Sequence, residues 1–308
     1  MKAFITGAAG FIGSNLADRL LADGHEVIGF DNFSTGQERF LSEAHRSPRF
    51  CLIHGDVLDL QRLSASMSGC DVVFHIAANA DVRFGLDHPK RDLEQNTIAT
   101  FNVLEAMRAT GVKKIAFSST GSIYGEPAVF PTPEDSPFPL QTSLYGASKL
   151  AGEGLIEAYC EGYGFEGYIF RFVSILGERY SHGHVFDFYR SLRQNPTELR
   201  VLGDGKQRKS YLYIQDCIDA ILLAMEHPSA KVHVYNLGTG RGSSVLEVIR
   251  TFAETTGVDL SWEPHPRRPG DVASTWASVD KAGRELGWAP RFDLADMCVD
   301  AWRWEQKQ

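Results

Sequence analysis

The chain has 308 residues, 43% of them hydrophobic and 23% charged, with a formal net charge of −8, enough for one or two globular domains with a substantial core. The acidic balance argues against nucleic-acid and anionic-membrane partners, because both need a basic surface. No apolar run is long enough to span a bilayer, no signal pattern opens the chain, and the cysteines at 51, 70, 160, 217 and 298 stand singly; the expectation is a cytoplasmic protein with reduced thiols and no metal site.

In chain order, Lys2–Thr6 predicts a strand and Phe11–Ala22 a helix, the helix on the spacing of Phe11, Ile12, Leu16 and Leu20. The turn between them carries Gly7, Gly10 and Gly13. Glycines there permit a tight turn, close backbone approach to a pyrophosphate, and a helix N-terminus aimed at phosphate. Glu26–Phe30 predicts the second strand, and Asp31 ends it 18 residues after Gly13. A carboxylate there accepts hydrogen bonds from the ribose hydroxyls of a dinucleotide and repels a 2′-phosphate. With no basic residue directly after Asp31, the cofactor expected is NAD. Asn32, Ser34, Thr35 and Gly36 form the following turn and belong to the same expected site.

Phe50–His54 predicts a third strand, with Asp56 and Val57 just past it as candidates for the adenine edge, and Leu60–Met67 a helix. Val72–Ile76 predicts a fourth strand; the small residues Ala77 and Ala78, with Asn79, suit a backbone lying against the dinucleotide. Leu93–Ala109 predicts a helix, Lys114–Phe117 a fifth strand ending in Ser118, Ser119 and Thr120, Leu144–Tyr163 a helix, and Gly167–Phe170 a sixth strand. Strands alternating with helices predict an α/β fold, a Rossmann-type doubly wound parallel sheet over residues 1–171. Beyond about residue 172 glycine, proline and basic loop residues become more frequent. That change predicts a smaller C-terminal substrate-binding lobe over 172–308, with segments such as 211–240 free to return to the core.

The chemistry concentrates on Tyr145 and Lys149, which sit at i and i+4 on one helix face, and on Thr120 at a strand end. Removing hydride from a carbinol carbon requires its hydroxyl proton to leave, and a free tyrosine, with a pKa of about 10, is a weak base at neutral pH. A nearby ammonium and a positively charged nicotinamide ring both favour the phenolate. Tyr145 is therefore the expected base, with Lys149 lowering its pKa and Thr120 orienting the substrate oxygen.

From Thr6-Gly7-Ala8-Ala9-Gly10 to Arg268-Pro269-Gly270-Asp271, the chain resembles the extended short-chain dehydrogenase/reductases, and within them the UDP-glucose (UDP-galactose) 4-epimerases. The resemblance implies bound NAD, a UDP-sugar substrate, a homodimer joined by a four-helix bundle, and interconversion of UDP-glucose and UDP-galactose through a 4-keto intermediate. It gives Lys149 a second role on the nicotinamide ribose. It aligns Gly7, Gly10, Phe11, Ile12, Gly13, Asp31, Asn32, Asp56, Val57, Ala77, Ala78 and Asn96 with cofactor contacts. It sets Val201 in a uracil-side loop, Lys209 and Arg268 at the diphosphate and Asp271 at a ribose; Ser122 joins Thr120 as a substrate contact. Ser174 stands where the family usually has Asn, Lys209 where it usually has Arg, and Thr275 where a bulky Tyr restricts the pocket to plain hexoses. The small Thr275 implies room for C2-acetamido sugars. Gly121 and Ser122, where a 4,6-dehydratase carries an Asp-Glu pair, disfavour dehydration. A UDP-glucuronate 4-epimerase, a uronic-acid decarboxylase and a CDP-sugar 2-epimerase share most of these features. A non-catalytic NAD-binding sensor would typically lack Tyr145 or Lys149, and both are present.

Overall fold

A computed structural model describes residues 1–80, 84–138, 140–181, 183–195, 198–226, 230–266 and 274–307. Seven strands form the central sheet: β1 (Lys2–Thr6), β2 (Glu26–Asp31), β3 (Phe50–His54), β4 (Val72–His75), β5 (Lys114–Thr120), β6 (Glu166–Phe172) and β11 (Val232–Leu237). Across the sheet they run in the order β11-β6-β5-β4-β1-β2-β3. Helices α1 (Phe11–Ala22), α2 (Leu60–Met67), α5 (Ala99–Thr110) and α6 (Leu144–Tyr163) link the first six strands. The inner strands are short continuous apolar runs because a parallel sheet covered on both faces buries their side chains, whereas the edge strand β3 is partly exposed. Phe4, Phe30, Val73, Ile115, Phe117, Leu104, Ile156 and Ile169 lie in one buried cluster. The Rossmann-type parallel sheet is thus as expected.

Three features differ from the sequence reading. Strand β5 runs on to Thr120, so the serine-rich end is itself ladder. The helix expected over Leu93–Ala109 is preceded by two short helices, α3 (Phe84–Asp87) and α4 (Pro89–Asp92), opens as a π-helical stretch over Leu93–Ile98, and becomes α-helical only at Ala99. The seventh strand, β11, lies in the 211–240 stretch that the sequence reading left free to return to the core, but the strand itself is not among the predicted elements.

The chain folds as two compact units. The first comprises Met1–Thr120, Leu144–Arg171 and Ile221–Tyr235; the second comprises Gly121–Ser143, Phe172–Ala220 and Asn236–Gln308. Within the second unit, β7 (Ser174–Leu176) pairs in parallel with β10 (Tyr211–Tyr213), and β8 (Glu198–Leu202) with β13 (Ser261–His265). Strand β9 (Arg208–Lys209) lies between β12 (Ser243–Ser244) and β14 (Ser274–Thr275). Helix α9 (Val245–Thr256) starts with a capping box of Ser244 and Glu247 and packs on α11 (Leu294–Gln306), Phe252 meeting Trp302 edge-on. Helices α7 (His184–Gln194), α8 (Ile214–Met225) and α10 (Asp280–Leu286) complete the described elements. Among the described residues no helix is long and apolar enough to cross a membrane.

Candidate active site

Parallel pairing aligns the carboxyl ends of the strands in the first unit. Thr6 pairs with Phe30 and His75, and His75 pairs with Phe117. The turn after β1, Asp31, the loop after β4 and Ser118–Thr120 therefore open on one edge of the sheet, where β1 lies between β4 and β2 and the winding reverses.

At this edge the glycine loop is closely packed. Gly7 has φ of 72°, and a Cβ on it would come 2.8 Å from the Ala77 backbone; a Cβ on Gly13 would overlap the Gly7 carbonyl oxygen. No side chain caps the first turn of α1 and no acidic residue lies in it, which keeps its N–H groups and positive dipole end suited to an anion. Asp31 is buried and accepts from Ala9 N–H and Phe33 N–H at 2.8 Å each, one to each carboxylate oxygen. Burial raises its pKa, against the lowering effect of both hydrogen bonds. Each oxygen retains a lone pair for a further donor. Asn32 donates to Asp56 at 2.9 Å and accepts from Ser34 N–H at 2.9 Å, while Asp56 also receives Leu58 N–H at 2.9 Å beside the buried Val57. An uncapped helix N-terminus, a glycine turn with no space for Cβ atoms and a carboxylate 18 residues on fit a dinucleotide with a free 2′-hydroxyl.

Next to this cradle, Tyr145 and Lys149 share the first turns of α6. The Thr120 hydroxyl hydrogen-bonds the Tyr145 phenol, an interaction that favours the phenolate. Lys149 is 1% exposed, donates to the Ser118 carbonyl at 2.7 Å, and lies 4.7 Å above the Phe117 ring. Ser118 in turn donates to the His75 carbonyl at 3.2 Å. The acid–base balance set by the protein's own groups departs from the sequence expectation. Burial raises Tyr145 to about 12, with a smaller upward push from Asp92, and burial lowers Lys149 to about 7 although Glu153 and Asp92 both raise it. Within the chain the Thr120 hydrogen bond lowers the phenol, while desolvation weakens the Lys149 ammonium's hold on its own charge. A bound nicotinamide ring would add a positive charge that favours the phenolate.

A polar network behind the pair escapes the sequence reading. Asp92, 1% exposed, accepts from Asn79 Nδ2 at 2.8 Å and Asn96 Nδ2 at 3.3 Å through Oδ1. Asn96 also donates to Ser148 Oγ at 2.9 Å, and Ser148 donates to the Tyr145 carbonyl at 2.8 Å. Asn79 and Asn96, expected at the cofactor, thus commit their side-chain amides here. His75 bridges Thr6 and Thr100 at 2.8 and 3.1 Å. Because Thr100 donates to the Asn96 carbonyl at 2.5 Å, His75 must carry its proton on Nε2 and accept from Thr6 on Nδ1. Burial first, and the Lys149 charge second, push His75 down to about 3. Glu153, one further turn along α6, is ion-paired with Arg171 at 2.8 Å and accepts from Ser119. The sequence does carry one signal of this network. Asp92, Asn96 and Thr100 are polar residues at a helical spacing of four.

Apart from Thr120, the expected substrate contacts lie in the second unit. Ser122 is in the 3-10 turn Gly121–Tyr124, Ser174 starts β7 opposite Tyr211, and Val201 is buried in β8 opposite Pro264. Lys209 of β9 pairs in register with Thr275 of β14, so the structure brings those two together. Arg268 and Asp271 lie outside the described residues.

Comparison with known proteins agrees with this geometry. The model of the NAD dependent epimerase/dehydratase family matches residues 3–238. A UDP-glucose 4-epimerase of Corynebacterium glutamicum is 36% identical, with 98% of this chain and 95% of the relative covered. The crystal structure of a UDP-glucose 4-epimerase from Thermotoga maritima with UDP-glucose is 33% identical, covers 100% of this chain and 99% of its own, and superposes with a TM-score of 0.92. A Bacillus cereus UDP-glucuronic acid 4-epimerase in complex with UDP-glucuronic acid and NAD is 29% identical, with the same coverage and a TM-score of 0.93.

Proposed function

The chain belongs to the NAD dependent epimerase/dehydratase family, and from that premise we propose that it is a UDP-hexose 4-epimerase interconverting UDP-glucose and UDP-galactose. The observation that carries this reading is the Thr120–Tyr145 hydrogen bond beside Lys149, which is itself anchored on the Ser118 carbonyl, at the sheet edge that also bears the dinucleotide cradle. When bound, NAD would supply the hydride acceptor for C4 of the sugar and the donor for the hydride's return. Tyr145 removes the C4 hydroxyl proton and later gives it back. Thr120 donates to the phenol oxygen and orients the substrate hydroxyl, and Lys149 supports the negative charge that develops there. Gly7, Gly10, Phe11, Ile12 and Gly13 cradle the pyrophosphate; Asp31, with Asn32, Ser34, Thr35 and Gly36, holds the adenosine ribose. Asp56 and Val57 flank the adenine, while Ala77, Ala78 and Ser118 line the nicotinamide side.

In this reading the second unit binds the nucleotide sugar through Ser122, Ser174, Val201, Lys209, Arg268, Asp271 and Thr275, and the small Thr275 admits C2-acetamido sugars. The protein is a homodimer: Leu86, Leu93, Ile98 and Phe101 expose 58, 53, 39 and 43% of their surface along α3–α5, and Leu144 is exposed at the start of α6, an apolar band suited to pairing helices. Its location is cytoplasmic, in keeping with five free cysteines. Incubation with UDP-glucose, UDP-GlcNAc and UDP-glucuronate separately, without added cofactor, tests the assignment by NMR of the products. C4-inverted hexose products support it. Turnover of UDP-glucuronate alone would instead place the chain with the uronic-acid epimerases, and light scattering reads the dimer directly.

A further inference from the structure

Asp92 is a buried acid that the proposed chemistry does not use. Its carboxylate is buried where a helical turn widens: the residues after it, Leu93–Ile98, form the π-helical stretch, a feature that recurs at functional sites. Oδ1 receives the two amide donors of Asn79 and Asn96, whereas Oδ2 is buried without a hydrogen-bond partner among the described residues and packs against Gly85. A buried carboxylate oxygen without a donor is costly to keep, and the folding role of the network would be served by a neutral amide at this position.

We propose that Asp92 is a positioning residue for the Tyr145–Lys149 pair, holding the first turn of α6 through Asn96 and Ser148 and adding a buried negative charge to the pair's surroundings. The inference rests on the reading of Tyr145 as the base. Geometrically, the relay runs from Asp92 Oδ1 to Asn96 Nδ2, from Asn96 Nδ2 to Ser148 Oγ, and from Ser148 Oγ to the Tyr145 carbonyl, with separations of 3.3, 2.9 and 2.8 Å. Asn96 is locked in orientation, since its Oδ1 accepts Asn79 N–H at 2.9 Å. Electrostatically, Asp92 raises both Tyr145 and Lys149 and is itself raised by burial, with Asn79 and Lys149 opposing. Among the described residues, the other titratable groups around the pair are Glu153 on α6, which is tied to Arg171 of β6, and His75 of β4, which is kept neutral. Asp92 therefore counters the burial of the ammonium and, by the same charge, keeps the phenol protonated until a positive ring lies beside it.

Asp92→Asn tests this, because it retains an acceptor for Asn79 and Asn96 and removes only the charge. Both Tyr145 and Lys149 then lose a raising influence, so both limbs of the pH–rate profile move to lower pH, by about one unit. Lysine NMR, with the Lys149 resonance assigned by Lys149→Arg, follows the same change without turnover: the Lys149 midpoint, lowered to about 7 in the native chain, falls further. An unchanged profile and an unchanged Lys149 midpoint, with only a loss of thermal stability, would overturn the proposal. Absence of turnover in the native chain would defeat the epimerase reading, while the NMR titration would still decide the role of Asp92.

Discussion

Replacing Glu153 by alanine removes the carboxylate of an ion pair whose side chains are only 2% and 4% exposed. Arg171 meets it with contacts of 2.8, 3.2 and 3.3 Å, and Ser119 donates to the same carboxylate. In Glu153→Ala the buried guanidinium loses this carboxylate, which costs about 3–5 kcal/mol. Replacing the pair by Leu and Met returns most of that, because a buried pair roughly breaks even against apolar residues of similar volume. Urea denaturation with linear extrapolation measures both variants against the native chain. The expected order is native, then the double variant close behind, then Glu153→Ala well below. The same substitution removes the largest upward influence on Lys149, so the Lys149 midpoint falls in parallel. A cost for Glu153→Ala below about 1 kcal/mol, or a double variant no better than the single, would refute the argument that α6 is fastened to the sheet through this charge.

Tyr145→Phe keeps the ring but removes the proton acceptor, and turnover falls by about 10²- to 10⁴-fold while circular dichroism and thermal stability stay near native. Gly13→Ala forces a Cβ onto the Gly7 carbonyl, so the loop shifts; the expected outcome is loss of NAD from the purified protein, read by absorbance after denaturation. His75 is held neutral by burial, with its pKa lowered from 6.5 to about 3. Between those values the unfolded chain binds more protons than the folded one, so stability falls as pH drops from about 6.5 toward 3, by up to roughly 5 kcal/mol from this residue. His75→Gln flattens that acid limb in urea titrations performed across the pH range; a limb as steep as the native one would contradict the assignment.

Much of the first unit is legible in the sequence because its signals are local. The strand–glycine turn–helix and Asp31 fix a backbone motif with defined spacing, and Tyr145 and Lys149 stand one helical turn apart. Other features depend on distant pairings. The Val232–Leu237 strand mixes polar and apolar residues without a clean alternation, and its place beside β6 is decided by sheet pairing across more than fifty intervening residues. Asp92 reads as a surface charge because only packing reveals that it is buried. The raised phenol and lowered ammonium follow from desolvation, which spacing along a helix does not report. In the second unit, Lys209 and Thr275 are far apart in sequence and are joined only by the β9–β14 ladder.

The most direct test of 4-epimerisation by hydride transfer uses UDP-glucose carrying deuterium at C4, incubated with the protein without added cofactor and followed by NMR. The expected product is UDP-galactose that retains the deuterium at C4, formed without release of NADH and abolished by Tyr145→Phe. UDP-galactose with a solvent-derived proton at C4, or no UDP-galactose at all, would contradict it.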